Sequence, residues 1–315
     1  MQLLLFLALP LLVFADGPTS RPEIVPPVDF QGAIEKGLQE HLPSTPWHIT
    51  QWNQSMLPLG CQRVAHQYNT SVTQLEIFEV KYDDCSQPWV MCRHVDAKVD
   101  ANTMAQTFGK IPLGMREYVK NLEVLKSEKL TAAYAASYND TIAVADDPFY
   151  LYAMAQEMMH SIDWHVKVLT NVNTVDGPTS ESSTWRDHHE KSDAVVSTFA
   201  KSTWQDNLAE TGVLSLYDTV VPDGLPAIQP NWTQIFPQYS LLQAMYRGIF
   251  TPGTKTNCTQ RLQDSIVPYD DNCNGTTPST AVPNSNGTKT IPISAAASNF
   301  YSLVRYDWNG TQPSG

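Results

Sequence analysis

The sequence predicts an α+β fold in which a twisted mixed sheet packs on a long helix. Apolar and polar side chains alternate in residues 74–84, which is the pattern of a half-buried strand. Residues 130–146 hold two short apolar runs separated by the turn sequence YND, and this arrangement predicts a β-hairpin. A helix is predicted over residues 148–165 and a pair of helices over residues 194–219. Together these patterns place a sheet beside several helices.

The chain divides into four segments by composition. Residues 1–15 are an apolar run, too short to span a bilayer, and they predict a secretory signal peptide cleaved after Ala15. Residues 16–30 are rich in proline and predict an extended arm. Residues 31–250 form the predicted folded domain. Residues 251–315 are rich in Ser, Thr, Asn and Pro, which is typical of a partly disordered, glycosylated tail.

Three further elements are predicted within the folded domain. Residues 115–128 carry apolar side chains at helical spacing and predict a helix. The motif DDP at residues 146–148 predicts the N-terminus of the next helix, with an acidic cap and proline in the first turn. Residues 171–193 are polar, and the adjacent His188 and His189 are predicted to lie in a solvated loop.

The charge of the chain excludes some classes of partner. The net charge is -12 with only 20 Lys and Arg residues, so neither nucleic acid nor an anionic membrane is an expected partner. Export is supported by eight Asn-X-Ser/Thr sequons, which suit a secreted glycoprotein. They begin at Asn53, Asn69, Asn139, Asn231, Asn257, Asn274, Asn286 and Asn309. We therefore expect a secreted protein, either extracellular or in the cell wall.

Five cysteines leave the disulfide pairing open. In an oxidising compartment, Cys85 with Cys92 and Cys258 with Cys273 can each close a small loop. Cys61 is then left over, either free or exchanged into another pairing. The spacings match no zinc-finger pattern.

The segment QEMMH at residues 156–160 is the strongest candidate for chemistry. Gln156 and His160 are four residues apart on the predicted helix, so they share a face, with Glu157 beside them. In the related motif H-E-x-x-H, two histidines at this spacing bind zinc, and the glutamate activates the attacking water. Gln156 occupies the place of the first histidine.

A catalytic zinc needs a third protein ligand from elsewhere in the chain. Glu210 lies on an otherwise apolar helical face, where a carboxylate is expected to be paired or to coordinate a metal. Asp206, one turn earlier, and Asp163, three residues after His160, are candidates to accept a hydrogen bond from a ligand histidine. Spacing alone does not exclude non-catalytic roles, in which Glu210 pairs with a lysine and Asp163 lies in solvent.

A resemblance covers roughly residues 60–250 and rests on several segments. The sequences YDDCSQPWVMCRHVDA, TIAVAD, AQEMMHSIDWH and FAKSTWQDNLAETGVLSLYD resemble those of fungal secreted conidiation-specific proteins. That family is in turn similar to the lethal-factor-like zinc metallopeptidases, which are zincins. The resemblance therefore implies a zincin-type metallopeptidase fold, with the mixed sheet packed on the active-site helix.

The resemblance also implies roles for individual residues. His160 and Glu210 would be zinc ligands and Glu157 the general base, with Asp163 and Asp206 around them. Two positions depart from the family pattern: Gln156 replaces a zinc-binding histidine, and Phe199 stands where a tyrosine would donate to the oxyanion. Zinc prefers imidazole or thiolate to an amide oxygen, and a lost oxyanion donor alone costs about 10²–10³ in rate.

Three functions compete at this point. The first is a secreted fungal glycoprotein of metallopeptidase ancestry with little or no proteolysis, whose cleft binds a peptide or an extracellular protein. The second is an active zinc endopeptidase that uses Gln156, His160 and Glu210 as ligands. The third is a structural cell-wall or spore-surface glycoprotein, which the sequons and the polar tail favour.

Overall fold

The computed structural model describes residues 21–52, 55–130, 134–166, 177–259 and 261–269. The predicted signal peptide and residues 270–315 of the predicted tail lie outside the described residues. The strands are β1 (Trp47–Gln51), β2 (Met56–Pro58), β3 (Leu75–Tyr82), β4 (Trp89–His94), β5 (Asn121–Leu125), β6 (Ala135–Tyr138), β7 (Thr141–Ala145) and β8 (Ile266–Pro268). The helices are α1 (Glu35–His41), α2 (Leu59–Gln67), α3 (Ala101–Lys110), α4 (Leu113–Arg116), α5 (Leu151–His165), α6 (Ser183–Glu190), α7 (Trp204–Val220) and α8 (Phe236–Phe250).

A six-stranded mixed sheet runs in the order β1-β3-β4-β5-β7-β6. Strands β4, β5 and β7 are parallel, whereas β1, β3 and β6 each pair antiparallel with their neighbours. Strand β2 pairs with β8 in a separate two-stranded sheet. The predicted α+β class with a mixed sheet is therefore confirmed.

Helices cover both faces of the large sheet. On one face, α5 contacts β6 and β7 and packs against α7, and α7 in turn packs against α8. Leu122 and Val124 of β5 point to this side, where the largest apolar core lies. Leu125 points to the other side, which α2 covers, because side chains alternate along a strand. The site helices α5 and α7 thus share one face of the sheet.

The predicted hairpin and the strand predicted at residues 74–84 are both confirmed. Residues 75–82 form β3, within the predicted 74–84. Strands β6 and β7 pair antiparallel across a two-residue turn, in which Asn139 and Asp140 have φ of 46° and 67°. Positive φ at both turn positions matches the right-handed twist of the strands, and Asn and Asp tolerate it better than most residues.

The predicted helix over residues 115–128 is wrong. The chain instead forms the short helix α4 and then β5, all five residues of which are buried. Tyr118, Leu122 and Leu125 have the spacing of a helical face, and this spacing masked the short alternation of residues 121–124.

The predicted start of α5 at residues 146–148 is also wrong. The helix begins at Leu151, and its free backbone N–H groups are capped from α1 by Glu35, whose carboxylate accepts from Leu151 N at 3.1 Å and Tyr152 N at 2.9 Å. Asp146 instead accepts from the backbone N–H groups of Lys98 and Ser127. The cap therefore comes from a distant part of the chain.

Residues 183–190 of the predicted polar loop form helix α6. His189 is only 1% exposed, and its ring meets that of Trp204 edge-on at 5.1 Å between centroids. The prediction that His189 is solvated is therefore wrong, because its helix packs one face against the fold. His188, on the same helix, is not buried and bonds to Thr184 O through Nδ1.

The two disulfides differ from the predicted small loops. They join Cys61 to Cys92 and Cys85 to Cys258, across separations of 31 and 173 residues. Cys92 lies on β4 and points to the α2 face, where Cys61 lies. The fold therefore separates the neighbours Cys85 and Cys92, and Cys273 lies outside the described residues.

Both ends of the described chain pack on the fold. Ile24, in the predicted arm, is 1% exposed, and its N–H donates to Val195 O at 2.9 Å. Part of the predicted tail is held by Cys258 and by β8, so the folded part extends to Tyr269. Within the described residues, no helix has both the length and the hydrophobicity needed to cross a membrane.

Candidate functional site

The predicted site residues meet where α5 packs on α7. His160 Nε2 lies 3.7 Å from Asp206 Oδ1, and these side chains are 20% and 5% exposed. That distance is longer than a hydrogen bond. Two ligand atoms about 2.1 Å from one tetrahedral zinc are about 3.4 Å apart, so the separation suits two ligands of a single cation. The structure thus brings Asp206 to His160, as predicted, but without a direct hydrogen bond.

Gln156 lies one turn before His160 on α5 and is 4% exposed. Its side-chain oxygen Oε1 is buried and accepts no hydrogen bond from any described residue. An oxygen that is buried and unpaired costs free energy, and a bound ligand or cation would remove this cost. Gln156 therefore offers a donor atom on the face that His160 shares.

Burial controls the protonation of the site. It lowers the pKa of His160 to about 4, so the imidazole is neutral at pH 7 and able to bind a metal. Burial, with the negative charge of Asp206, raises the pKa of Glu157 to about 8. At neutral pH and without a cation, Glu157 is therefore mainly protonated and a poor base.

Glu210 lies one turn beyond Asp206 on α7 and is 1% exposed. Its Oε2 accepts a hydrogen bond from Ser197 Oγ at 2.5 Å. Burial raises the pKa of Glu210 to about 8, and the charges of Asp206 and Glu23 act in the same direction, against the Ser197 hydrogen bond. Glu210 thus lies on a buried helical face, as the sequence pattern predicted. The role of Glu210 as a ligand stays a prediction.

Asp163 is buried and bonds to Ser180 rather than to a histidine. Its two carboxylate oxygens accept from Ser180 N at 2.7 Å and from Ser180 Oγ at 2.6 Å. Burial raises its pKa to about 7, although these hydrogen bonds oppose the shift. The alternative of a solvated Asp163 is therefore wrong, because the segment after residue 177 folds back over α5. The role of Asp163 as the partner of a ligand histidine stays a prediction.

Phe199 begins a short 3₁₀ helix, Phe199–Lys201, that precedes α7 and contacts it. Its N–H donates to Ser197 Oγ at 3.0 Å, so the same serine contacts both Phe199 and Glu210. No spacing rule in the sequence gave a signal for Ser197.

Tyr152 was also not predicted. It is buried four residues before Gln156 on the same helix, and this i, i+4 spacing was the available signal.

The side chains on this face carry donor atoms of kinds that can bind zinc. Among the described residues, no three His, Cys, Asp or Glu side chains come together as a metal cluster. The donors on this face are the His160 imidazole, the Asp206 carboxylate and the unpaired Gln156 amide oxygen. Carboxylate and imidazole are ordinary zinc ligands, whereas the amide oxygen is a weaker substitute.

Comparisons with known proteins place the chain in a family. The model of the family described as "Conidiation-specific protein Con-13" matches residues 31–232, a range that includes every predicted site residue. The chain is similar to Conidiation-specific protein 13 of Neurospora crassa, with 29% identity over 196 residues, covering 59% of this chain and 53% of the relative.

This chain thus spans about half the length of the curated relative that it matches. No solved structure matches the chain. The chain belongs to the Con-13 family of conidiation-specific proteins.

Proposed function

We propose that this protein is a secreted glycoprotein with a zincin-like site between α5 and α7, which binds extended peptide and hydrolyses it slowly or not at all. The observation that carries the proposal is a set of three donors on this face, in which His160 and Asp206 lie 3.7 Å apart and the buried Gln156 oxygen has no partner among the described residues. This arrangement keeps the layout of a hydrolytic site and weakens its hold on a metal.

The chain's own groups account for weak chemistry. Gln156, His160 and Asp206 would hold zinc, with Glu210 as the ligand that the family resemblance favours. A zinc ion supplies polarisation of a water molecule and of a carbonyl group. Glu157 would take the proton from that water but is mainly protonated at neutral pH. Phe199 has no side-chain donor for an oxyanion, which costs about 10²–10³ in rate.

An open sheet edge beside α5 supports peptide binding. Strand β6 packs on α5 and is the last strand of the sheet among the described residues, within which one row of its backbone groups has no partner strand. An extended peptide can add to such an edge through backbone hydrogen bonds. Tyr134 and Tyr150 form an edge-on pair with centroids 5.1 Å apart at the end of β6 and offer an aromatic surface to the peptide.

Exposed sequons support the secreted glycoprotein part of the proposal. The four sequon asparagines that the structure describes are all exposed, namely Asn69, Asn139, Asn231 and Asn257. Two disulfides also suit an oxidising compartment. Asn53, Asn274, Asn286 and Asn309 lie outside the described residues.

The second candidate is an active secreted zinc endopeptidase. It is favoured by the separation between His160 Nε2 and Asp206 Oδ1, which suits two ligands of one zinc, and by the buried Glu157 beside them. Under this alternative, Asp206 makes up for the histidine that Gln156 replaces.

One experiment separates the two candidates. Secreted protein is purified without a chelator or histidine tag, its zinc is measured, and fluorescein-labelled β-casein is used as an extended-chain probe. We expect substoichiometric zinc, saturable binding of β-casein and negligible cleavage. Cleavage that disappears both with a chelator and in Glu157→Gln establishes the endopeptidase instead. Absence of β-casein binding contradicts the peptide-binding proposal, and retention in an insoluble wall fraction then favours the structural role.

A further inference from the structure

The predicted N-terminal arm is a packed strap, which we define as residues 21–28. Ile24 is buried in the main core. The strap pairs with Val195 in a parallel bridge, in which Val195 N donates to Pro22 O and Ile24 N donates to Val195 O, both at 2.9 Å. Arg21 also binds the backbone oxygen of Glu190 at 2.8 Å. These contacts fix the strap along the segment that leads into α7.

Glu23 is the strap residue that contacts the segment before the site. Its Oε1 accepts a hydrogen bond from Thr198 Oγ1 at 2.7 Å. The same oxygen lies 3.9 Å from Lys201 Nζ. Thr198 directly precedes the short 3₁₀ turn that begins at Phe199, and Lys201 is its last residue. Glu23 therefore holds this turn from the outside.

The inner side of the same turn is held by the site itself. Ser197 Oγ accepts from Phe199 N at 3.0 Å and from Ala200 N at 3.2 Å, and it donates to Glu210 on α7. We name residues 197–201 the latch segment. The latch segment lies between Glu23 of the strap and Glu210 of the site.

We propose that Glu23 is a positioning residue of the site, which acts through Thr198 to fix the latch segment, and thereby Phe199, against α7. The strap thus sets how far the latch segment opens beside the buried donors on α5 and α7. The effect of Glu23 on ligand access rests on the proposed function. The positioning of the latch segment by Glu23 does not.

The test compares Glu23→Ala with Glu40→Ala, a matched change of an exposed glutamate on α1. Both are made in the full secreted chain. Hydrogen exchange is followed at the backbone N–H groups of Phe199 and Ala200. Since a lost hydrogen bond to a carboxylate is worth about 1 kcal/mol, we expect exchange to accelerate about fivefold in Glu23→Ala. We expect no change in Glu40→Ala, and circular dichroism checks that both variants are folded.

Thr198→Ala is the second variant, because it removes the other partner of the same hydrogen bond. Combined with Glu23→Ala, it should add little further acceleration. Unchanged exchange at Phe199 and Ala200 in folded Glu23→Ala overturns the proposal, as does simple additivity of the two variants. Labelled β-casein is titrated in parallel, with faster association expected for Glu23→Ala. If β-casein binds no variant, the proposed function fails while the exchange ratio still decides the role of Glu23.

Discussion

Under the proposed function, Gln156 would determine how firmly the site holds a cation. It contributes an amide oxygen where an imidazole nitrogen would bind zinc more strongly. The motif was readable in the sequence, since spacing along one helix fixes which side chains share a face. The sequence did not predict that His160 lies close to Asp206 rather than to Glu210, because this contact depends on how α5 crosses α7.

Gln156→His should increase zinc affinity by at least about 10–100-fold, the range that changes around metal ligands usually produce. Asp206→Asn should weaken zinc binding more than Glu210→Gln, since only Asp206 faces His160 Nε2 in the described contacts. Competition with a zinc indicator, with circular dichroism as a control for folding, measures both effects. A larger loss of zinc affinity in Glu210→Gln than in Asp206→Asn would indicate that Glu210, rather than Asp206, is the ligand.

Glu123 is a buried acid without a hydrogen-bond partner among the described residues. It is fully buried on β5, neither carboxyl oxygen is paired, and burial raises its pKa well above 4.5. The folded protein therefore binds this proton more tightly than the unfolded chain does. Its contribution to stability is complete below pH 4.5 and is lost as the pH rises toward the folded-state pKa.

Glu123→Gln cannot ionise, so the variant should gain stability relative to the wild type as the pH rises from 4 to 8. The relative gain is at most about 1.4 kcal/mol per pH unit. Urea unfolding at both pH values measures it, with Glu128→Gln as a control at an exposed site. An equal effect of Glu123→Gln at pH 4 and pH 8 would show that the acid is not titrating.

At the scale of helices and strands, the sequence predicted the elements that have a clear pattern of apolar or turn residues within their own segment. Strand β3 alternates, the β6–β7 turn contains Asn139 and Asp140, and α7 has a continuous helical run. It did not predict β5, because the alternation covers only residues 121–124 and competes with a helical spacing of Tyr118, Leu122 and Leu125. Nor did it predict the start of α5, since its cap belongs to Glu35, 116 residues earlier.

Glu35→Ala should destabilise the fold by about 1–2 kcal/mol, because two N–H groups in the first turn of α5 lose a charged acceptor. Glu40→Ala, on the exposed side of the same helix α1, is the matched control and should change stability by less than about 0.5 kcal/mol. Chemical denaturation measures both. Equal effects would mean that the loss of a helix-α1 side chain, rather than of the cap, is responsible.

At the scale of the whole molecule, long-range links close the fold. Cys85 and Cys258 join positions 173 residues apart, and Glu117 accepts from Thr259 N and pairs with Lys255. Sequence spacing favoured pairs of neighbouring cysteines, because nothing local shows that Cys85 and Cys92 lie in different surroundings. The α+β class was nevertheless predictable, since it depends only on which elements form.

Loss of the Cys85–Cys258 link should cost about 5 kcal/mol on chain-entropy grounds, more than loss of Cys61–Cys92, which closes a loop of only 31 residues. The paired changes Cys85→Ser with Cys258→Ser and Cys61→Ser with Cys92→Ser are compared by urea unfolding. Peptide mapping without reductant checks the pairing itself. Recovery of a Cys85–Cys92 peptide would contradict the structure.

The small sheet of β2 and β8 has a consequence for how the molecule is oriented. Tyr269 packs on the α2 side of the large sheet, whereas α5, α7 and the strap lie on the opposite side. Attachment to a sensor chip through a residue of β8 therefore turns the α5–α7 face outward to the medium.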